Sequence, residues 1–255
     1  MGRGSSEMLE QMSADLIRIF GYGPRSDCRS LAHGCIALSG EPAADLNMIV
    51  LTSGAERYEL DEALDAVRQK NMDAILIVEE GADVVRGWAA DVSLNEVGQV
   101  PLMERRAADV KLTSDFLIRL ADPNEAEAAM KLAAAAFSLS EEACVPAVPA
   151  KAIAEKGNDL WVAEEDGELV GCGLFIRTED HVGVYTMSTP PNHQRRGVGR
   201  AILDGAMALY QERGVERFTL GATEKGYPLY ERAGFKVITS PHVYVVGPST
   251  QFPGS

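Results

Sequence analysis

Residues 182–212 constrain this chain more than any other stretch. Val182 to Thr189 reads as a β-strand, and Gln194-Arg195-Arg196-Gly197-Val198-Gly199-Arg200 follows it. A helix then runs from Gly199 to Glu212, with Ile202, Leu203, Ala206, Leu209 and Tyr210 on one stripe. A glycine-bearing turn that enters a helix leaves the first backbone N–H groups without intrahelical partners, all pointing one way. The helix dipole adds partial positive charge at that end, and glycine lets the main chain approach a bound group closely. Such a turn suits a phosphate. Its spacing is neither the GxxxxGK[ST] of a P-loop nor a GxGxxG followed by a distal acidic residue, so a nucleotide triphosphate or dinucleotide fingerprint is not what it carries.

Downstream stands Leu229-Tyr230-Glu231-Arg232-Ala233-Gly234-Phe235. Gln194-x-x-Gly197-x-Gly199 resembles the Q/R-x-x-G-x-G/A signature of the GNAT superfamily of N-acetyltransferases, and residues 229–235 are similar to that family's L-Y-x-x-x-G-F segment. The resemblance covers residues 114–246. It implies an α/β (α+β) chain with the GNAT fold, whose mixed, mostly antiparallel sheet is splayed around a wedge for CoA. It implies acetyl-CoA as the acyl donor, no metal, and transfer to a primary amine by direct attack in a ternary complex. By resemblance, Gln194 and the backbone amides of Arg195, Arg196, Gly197, Val198, Gly199 and Arg200 hold the pyrophosphate. Met187, Ser188 and Thr189 occupy the strand whose amides pair with pantetheine and face the thioester oxygen, where a donor aimed at developing charge contributes most. Tyr230 matches the tyrosine that protonates the leaving thiolate.

Two positions depart from the family pattern. An asparagine common seven residues before the tyrosine is here Thr223, which takes its place as a cofactor contact. A glutamate base common on the preceding strand would fall near Phe218, which cannot serve. The base is therefore unassigned among Glu164, His181, His193, Glu224 and a water relay. These departures keep a second reading open, an acyl-CoA-binding regulatory module without turnover. A longer acyl donor such as succinyl-CoA is a third.

The chain has 255 residues, room for two modest domains. The first, residues 1–112, reads as an α/β unit with no visible nucleophile, metal cluster or phosphate loop. Its helices are expected at 1–20, 55–70 and 82–90, the last with Val84, Val85 and Trp88 inward. Its strands are expected at 36–38, 47–51, 74–78 and near 100–103. That order is similar to a GNAT unit that has lost its CoA motifs, as in tandem members of the family. The second domain is expected at 113–247. Asp122-Pro123-Asn124-Glu125 opens it as a capping box, and Asp166-Gly167 marks a hairpin. Residues 248–255 are expected to form a disordered tail.

Net charge is −14, with 11 basic and 19 acidic groups in residues 1–112 and 13 and 19 in the rest. No basic tract suits nucleic acid. No run is long and apolar enough to span a bilayer. Cys28, Cys35, Cys144 and Cys172 are scattered without a C-x-x-C pair, which fits reduced thiols in a cytoplasmic protein. Met1 to Ser6 matches an N-myristoylation pattern, but a flexible start is the reading preferred here. The expected partner is an amine acceptor whose identity the sequence leaves open. The first half is expected to supply a wall of the acceptor pocket or a homodimer surface.

Overall fold

Of two sheets, the first is completed by the last strand of the chain, and the second is built from one continuous stretch. The computed structural model describes residues 3–250 apart from 109, 111–113 and 179. It divides into two compact units, Met1–Leu102 with Ile238–Ser255, and Met103–Val237. The first unit contains α1 (Arg3–Phe20), β1 (Asp27–Leu31), β2 (Gly34–Leu38), β3 (Asn47–Leu51), α2 (Arg57–Lys70), β4 (Ala74–Val78), α3 (Asp83–Asp91) and β5 (Glu96–Gln99). Its sheet order is β1-β2-β3-β4-β13-β5, where β13 is the final strand, His242–Val246.

The second unit runs from β6 (Leu102–Arg106) through β7 (Leu117–Leu120), α4 (Ala126–Phe137), α5 (Glu141–Ala147), α6 (Ala150–Ile153), β8 (Asn158–Glu165), β9 (Glu168–Arg177), β10 (His181–Ser188), α7 (Val198–Glu212), β11 (Arg217–Gly221) and α8 (Tyr227–Arg232) to β12 (Lys236–Thr239). Its sheet order is β12-β6-β11-β10-β9-β8-β7. Read from β8 to β12, this is the first sheet's topology again. β3–α2–β4 corresponds to β10–α7–β11, each a parallel pair, and β13 holds in the first sheet the slot that β6 holds in the second.

Local chemistry accounts for most element ends. The Asp122 side chain accepts from the Asn124 amide, and the Glu125 side chain accepts from Asp122 N, which starts the α4 segment. Ser140 caps α5 by accepting from Ala143 N. Asp166 and Gly167 both take positive φ (52° and 83°), as a two-residue hairpin between β8 and β9 requires. α7 lies against β9 because Gly171 has no side chain: a Cβ there would sit 2.4 Å from Val198 Cγ1. Tyr210 of α7 forms one aromatic cluster with Trp161, Phe175 and Phe218 of the sheet. Buried Tyr210 gives its hydroxyl proton to Asp159 (2.9 Å) and accepts from Trp161 Nε1 (2.9 Å).

Several expectations need correction. Val84 is 64% exposed, whereas Val85 is buried and Trp88 packs on the core, so the apolar face of α3 is narrower than the sequence suggested. The strand expected near 100–103 in the first domain is β6, which joins the second sheet. β1, β5 and β7 were not anticipated. β13, expected in the second domain, pairs with β4 and β5 of the first unit. The boundaries therefore fall at 102/103 and 237/238, not 112/113 and 247/248. The reason is physical: strand pattern reports a buried face, and not which sheet supplies it. The start of the chain is helical from Arg3. Of the expected tail, Thr250 N bonds Gly247 O in a turn, and residues 251–255 lie outside those described.

Candidate active site

β10 leaves its neighbour part-way along its length. His181 to Val184 pair with Arg217 to Leu220 of β11, and the parallel ladder stops there although β10 continues to Ser188. On its other edge the register with β9 shifts between Tyr185 and Ser188, and Thr186 takes φ 50°. A bulge of this kind bends a strand and breaks its pairing locally. Met187 and Ser188 lie at and just after it. Ser188 Oγ donates to Thr186 O (2.9 Å), fixing the bulge from within.

The turn after β10 brings the strand end against the start of α7. Gln194 Nε2 donates to Thr189 O (3.0 Å), which gives the motif glutamine a structural task in closing the loop. Arg195 and Gly197 adopt positive φ (61° and 92°). Gly197 is the residue before the helix, and no side chain caps α7. A Cβ on Gly197 would meet nothing within 4 Å, so only its backbone conformation calls for glycine. Gly199 instead marks an approach: a Cβ there would stand 3.4 Å from Leu229 Cδ2 and 3.8 Å from Thr189 Oγ1. Val198, Gly199 and Arg200, the first residues of α7, thus offer N–H groups at an uncapped helix start beside the unpaired end of β10.

The loop's arginines are already engaged in part. Arg196 pairs with Glu165 (2.6 Å) and bonds His193 Nδ1 (3.1 Å), while its guanidinium lies 5.9 Å from the Phe116 ring centroid. Arg200 turns away from the turn to Asp204 (2.6 Å) and the Arg232 carbonyl (3.1 Å), tying α7 to the end of α8. Arg195 is exposed.

Tyr230 is 7% exposed on α8, edge-on to Phe235 at 6.0 Å. Burial pushes its phenol up to about 12. Thr223 Oγ1 accepts from Gly226 N (3.1 Å), so the residue in the asparagine position holds the start of α8. Among the candidate bases, Glu164 is held by Arg119 (2.8 Å). His181 Nε2 is 2.6 Å from Thr219 Oγ1 in a buried position. His193 sits on Arg196, and Glu224 is exposed. Phe218 is fully buried in the core. Among the described residues no three His, Cys, Asp or Glu side chains gather as a metal site.

The corresponding place in the first unit is closed by the chain's own carboxylates. β3 and β4 stay paired to Leu51 and Val78, the last residue of each, so nothing splays. Glu79 accepts from Ser53 N (2.7 Å) and Ser6 Oγ (2.7 Å). Glu59 accepts from Glu56 N (2.9 Å) and His33 N (2.9 Å). Both glutamates are buried, and these hydrogen bonds hold both carboxyls below the ordinary range against the opposing effect of burial. In the turn before α2, Ser53 N and Glu56 N are thus satisfied by the protein's own carboxylates.

A family model described as an acetyltransferase (GNAT) domain matches residues 124–248. Residues 124–248 belong to the GNAT acetyltransferase family. A mycothiol acetyltransferase of Propionibacterium freudenreichii subsp. shermanii is 38% identical over 89 residues, covering 32% of this chain and 28% of the relative. This chain thus matches little more than a quarter of that curated relative. Among solved structures, a GCN5-related N-acetyltransferase from Kribbella flavida is 18% identical with a TM-score of 0.62, over 100% of this chain and 97% of that one. A tandem GNAT protein from the clavulanic acid biosynthesis pathway is 12% identical with a TM-score of 0.60, over 98% of both chains. At such identities the two structures establish the fold, a GNAT fold across both units.

What the sequence did not single out is the bulge at Thr186, the Leu229–Gly199 contact and Phe116. Thr186 carries no signal, since a β-branched residue disfavours positive φ. Phe116 is a lone aromatic before a short edge strand, and its place beside α7 depends on tertiary packing.

Proposed function

We propose that the second unit moves an acetyl group from acetyl-CoA to a primary amine by direct attack in a ternary complex. The observation that carries this reading is the uncapped start of α7 lying beside the unpaired end of β10. Pyrophosphate on the N–H groups of residues 195–200 and pantetheine laid along Met187 to Thr189 would use donors the protein leaves open. An acetyltransferase name on the curated relative supports acetyl as the acyl group.

In this reading the amine nitrogen attacks the thioester carbon, and the carbonyl oxygen takes charge against a β10 amide. The C–S bond then breaks, Tyr230 serves the departing sulfur, and the new ammonium loses its proton to water. A phenol near 12 gives a proton to a thiolate of ordinary pKa about 8.5 only uphill, by roughly 5 kcal/mol. Tyr230 therefore hydrogen-bonds the sulfur as charge develops, and completes the transfer as the amine side releases its proton. With Glu164 ion-paired and Phe218 in the core, a water relay suits the base role better than a fixed carboxylate. We place this chemistry in the cytoplasm, on the strength of four unbridged cysteines.

The buried Phe218 and the capping role of Thr223 favour one competing reading, an acyl-CoA-binding module without turnover. Tyr230→Phe separates the two. An enzyme loses at least about a hundredfold in kcat while its acetyl-CoA Kd stays put. Unchanged kcat in the variant would remove Tyr230 from the mechanism. A wild type that binds acetyl-CoA and acetylates no amine in a broad panel would favour the binding module. Competition with succinyl-CoA tests the acyl length.

A further inference from the structure

A depression of about 340 Å³ opens at the first turn of α7, lined by Ser114, Asp115 and Phe116 on one side and by Arg196, Gly197 and Ala201 on the other. The segment that leads into β7 thus forms a wall beside the turn proposed to hold pyrophosphate, and Gly197 belongs to both. Phe116 is held for this position. Its backbone N–H donates to Ser114 Oγ (3.0 Å), and that hydroxyl donates back to the Phe116 carbonyl (3.4 Å). The ring is half-buried and carries the Arg196 guanidinium 5.9 Å from its centroid, with Arg196 itself anchored on Glu165.

The chemistry of this wall selects its occupant. An aromatic ring backed by a guanidinium is a stacking surface for a planar base, and Asp115 stands beside it as a hydrogen-bond acceptor. We propose that Phe116 is the platform for the adenine of the acyl donor, so that the segment before β7 takes part in recognising CoA. This rests on the reading that acetyl-CoA binds at the α7 turn. The base lies one ribose from the pyrophosphate, and Gly197 and Phe116 line the same depression. Asp115 can accept a hydrogen bond from an exocyclic amine there, which a purine carrying N6 supplies.

The test compares two donors by calorimetry, acetyl-CoA and S-acetyl-4′-phosphopantetheine, which keeps one phosphate and lacks the rest of the nucleotide, adenine included. Phe116→Ala, and Phe116→Leu, which keeps apolar bulk without a π face, should each weaken acetyl-CoA binding about tenfold, the loss of one stacked base. Both should leave the phosphopantetheine donor unchanged, and Phe116→Trp should keep wild-type affinity for acetyl-CoA. Equal weakening of both donors would show that Phe116 acts through the loop's shape and would overturn the inference, as would variants that bind acetyl-CoA like the wild type. A wild type that binds neither donor would remove the cofactor reading itself, and this inference with it.

Discussion

Cutting the chain at the boundaries its sequence suggests should give a fragment that does not fold. Residues 113–247 contain every acetyltransferase motif but lack β6, which lies between β11 and β12 in the second sheet. β6 places Leu102 (2% exposed) and Met103 (0%) in the interior. Losing two such side chains removes about 1.5–3 kcal/mol each. The backbone bonds on both edges of the strand add roughly 0.5–1.5 kcal/mol apiece. The total, roughly 5–10 kcal/mol, is the size of a whole domain's stability. β13 is a poor substitute, because its inward His242 and Tyr244 are both held by Glu96 of β5 (2.8 and 3.3 Å), a partner of the first sheet. Residues 100–240 keep β6 through β12 in one stretch and should fold alone. Urea unfolding followed by far-UV circular dichroism compares the two fragments. A cooperative transition for 100–240 and none for 113–247 is expected. Matching transitions would mean that β13 fills the slot of β6, and would refute the reasoning.

This prediction marks where sequence legibility stops. The α7 turn, the Asp122 capping box, the Asp166-Gly167 hairpin and the stripe on α7 are local signals, and each stands where the sequence put it. Edge strands were harder. β1 is Asp-Cys-Arg-Ser-Leu and β5 is exposed along its length, so neither shows the alternation that burial of one face imposes. In β7 both Leu117 and Leu120 are exposed, which hides the strand's pattern. The exchange of β6 and β13 was invisible because nothing within five residues of a strand names its neighbour. At the site, the motif residues were readable as a turn, but the strand bulge at Thr186 and the carboxylates that close the first unit's turn depend on contacts distant in sequence.

Two further outcomes follow from the interior and the surface of the second unit. Tyr210→Phe strands Trp161 Nε1 in the core, while half-buried Asp159 keeps Arg177, and should destabilise the protein by roughly 1–3 kcal/mol in urea titrations; a loss below about 0.5 kcal/mol would show that water replaces the hydroxyl. Arg119, doubly bonded to Glu125, together with the Asp122 amide, holds that carboxyl down at about 2. A depressed folded pKa gives stability that is present above the unfolded value near 4.5 and is lost as pH falls toward 2. Because the pair is about a third exposed, its share is about 1 kcal/mol after screening. Glu125→Gln should flatten the stability profile between pH 4.5 and 2, and an unchanged profile would contradict the assignment.

Titration of the whole chain with acetyl-CoA in a calorimeter, beside Gly197→Glu, bears most directly on the account. Gly197 has open space around it, so a glutamate there strains one backbone position by about 1–3 kcal/mol and sets a negative charge where the pyrophosphate should lie. Circular dichroism confirms that the variant is folded. The expected result is saturable binding of one acetyl-CoA per chain, because Glu59 and Glu79 already occupy the first unit's donors, with binding lost in the variant. No binding by the folded wild type, two sites per chain, or equal affinity in Gly197→Glu would contradict the account.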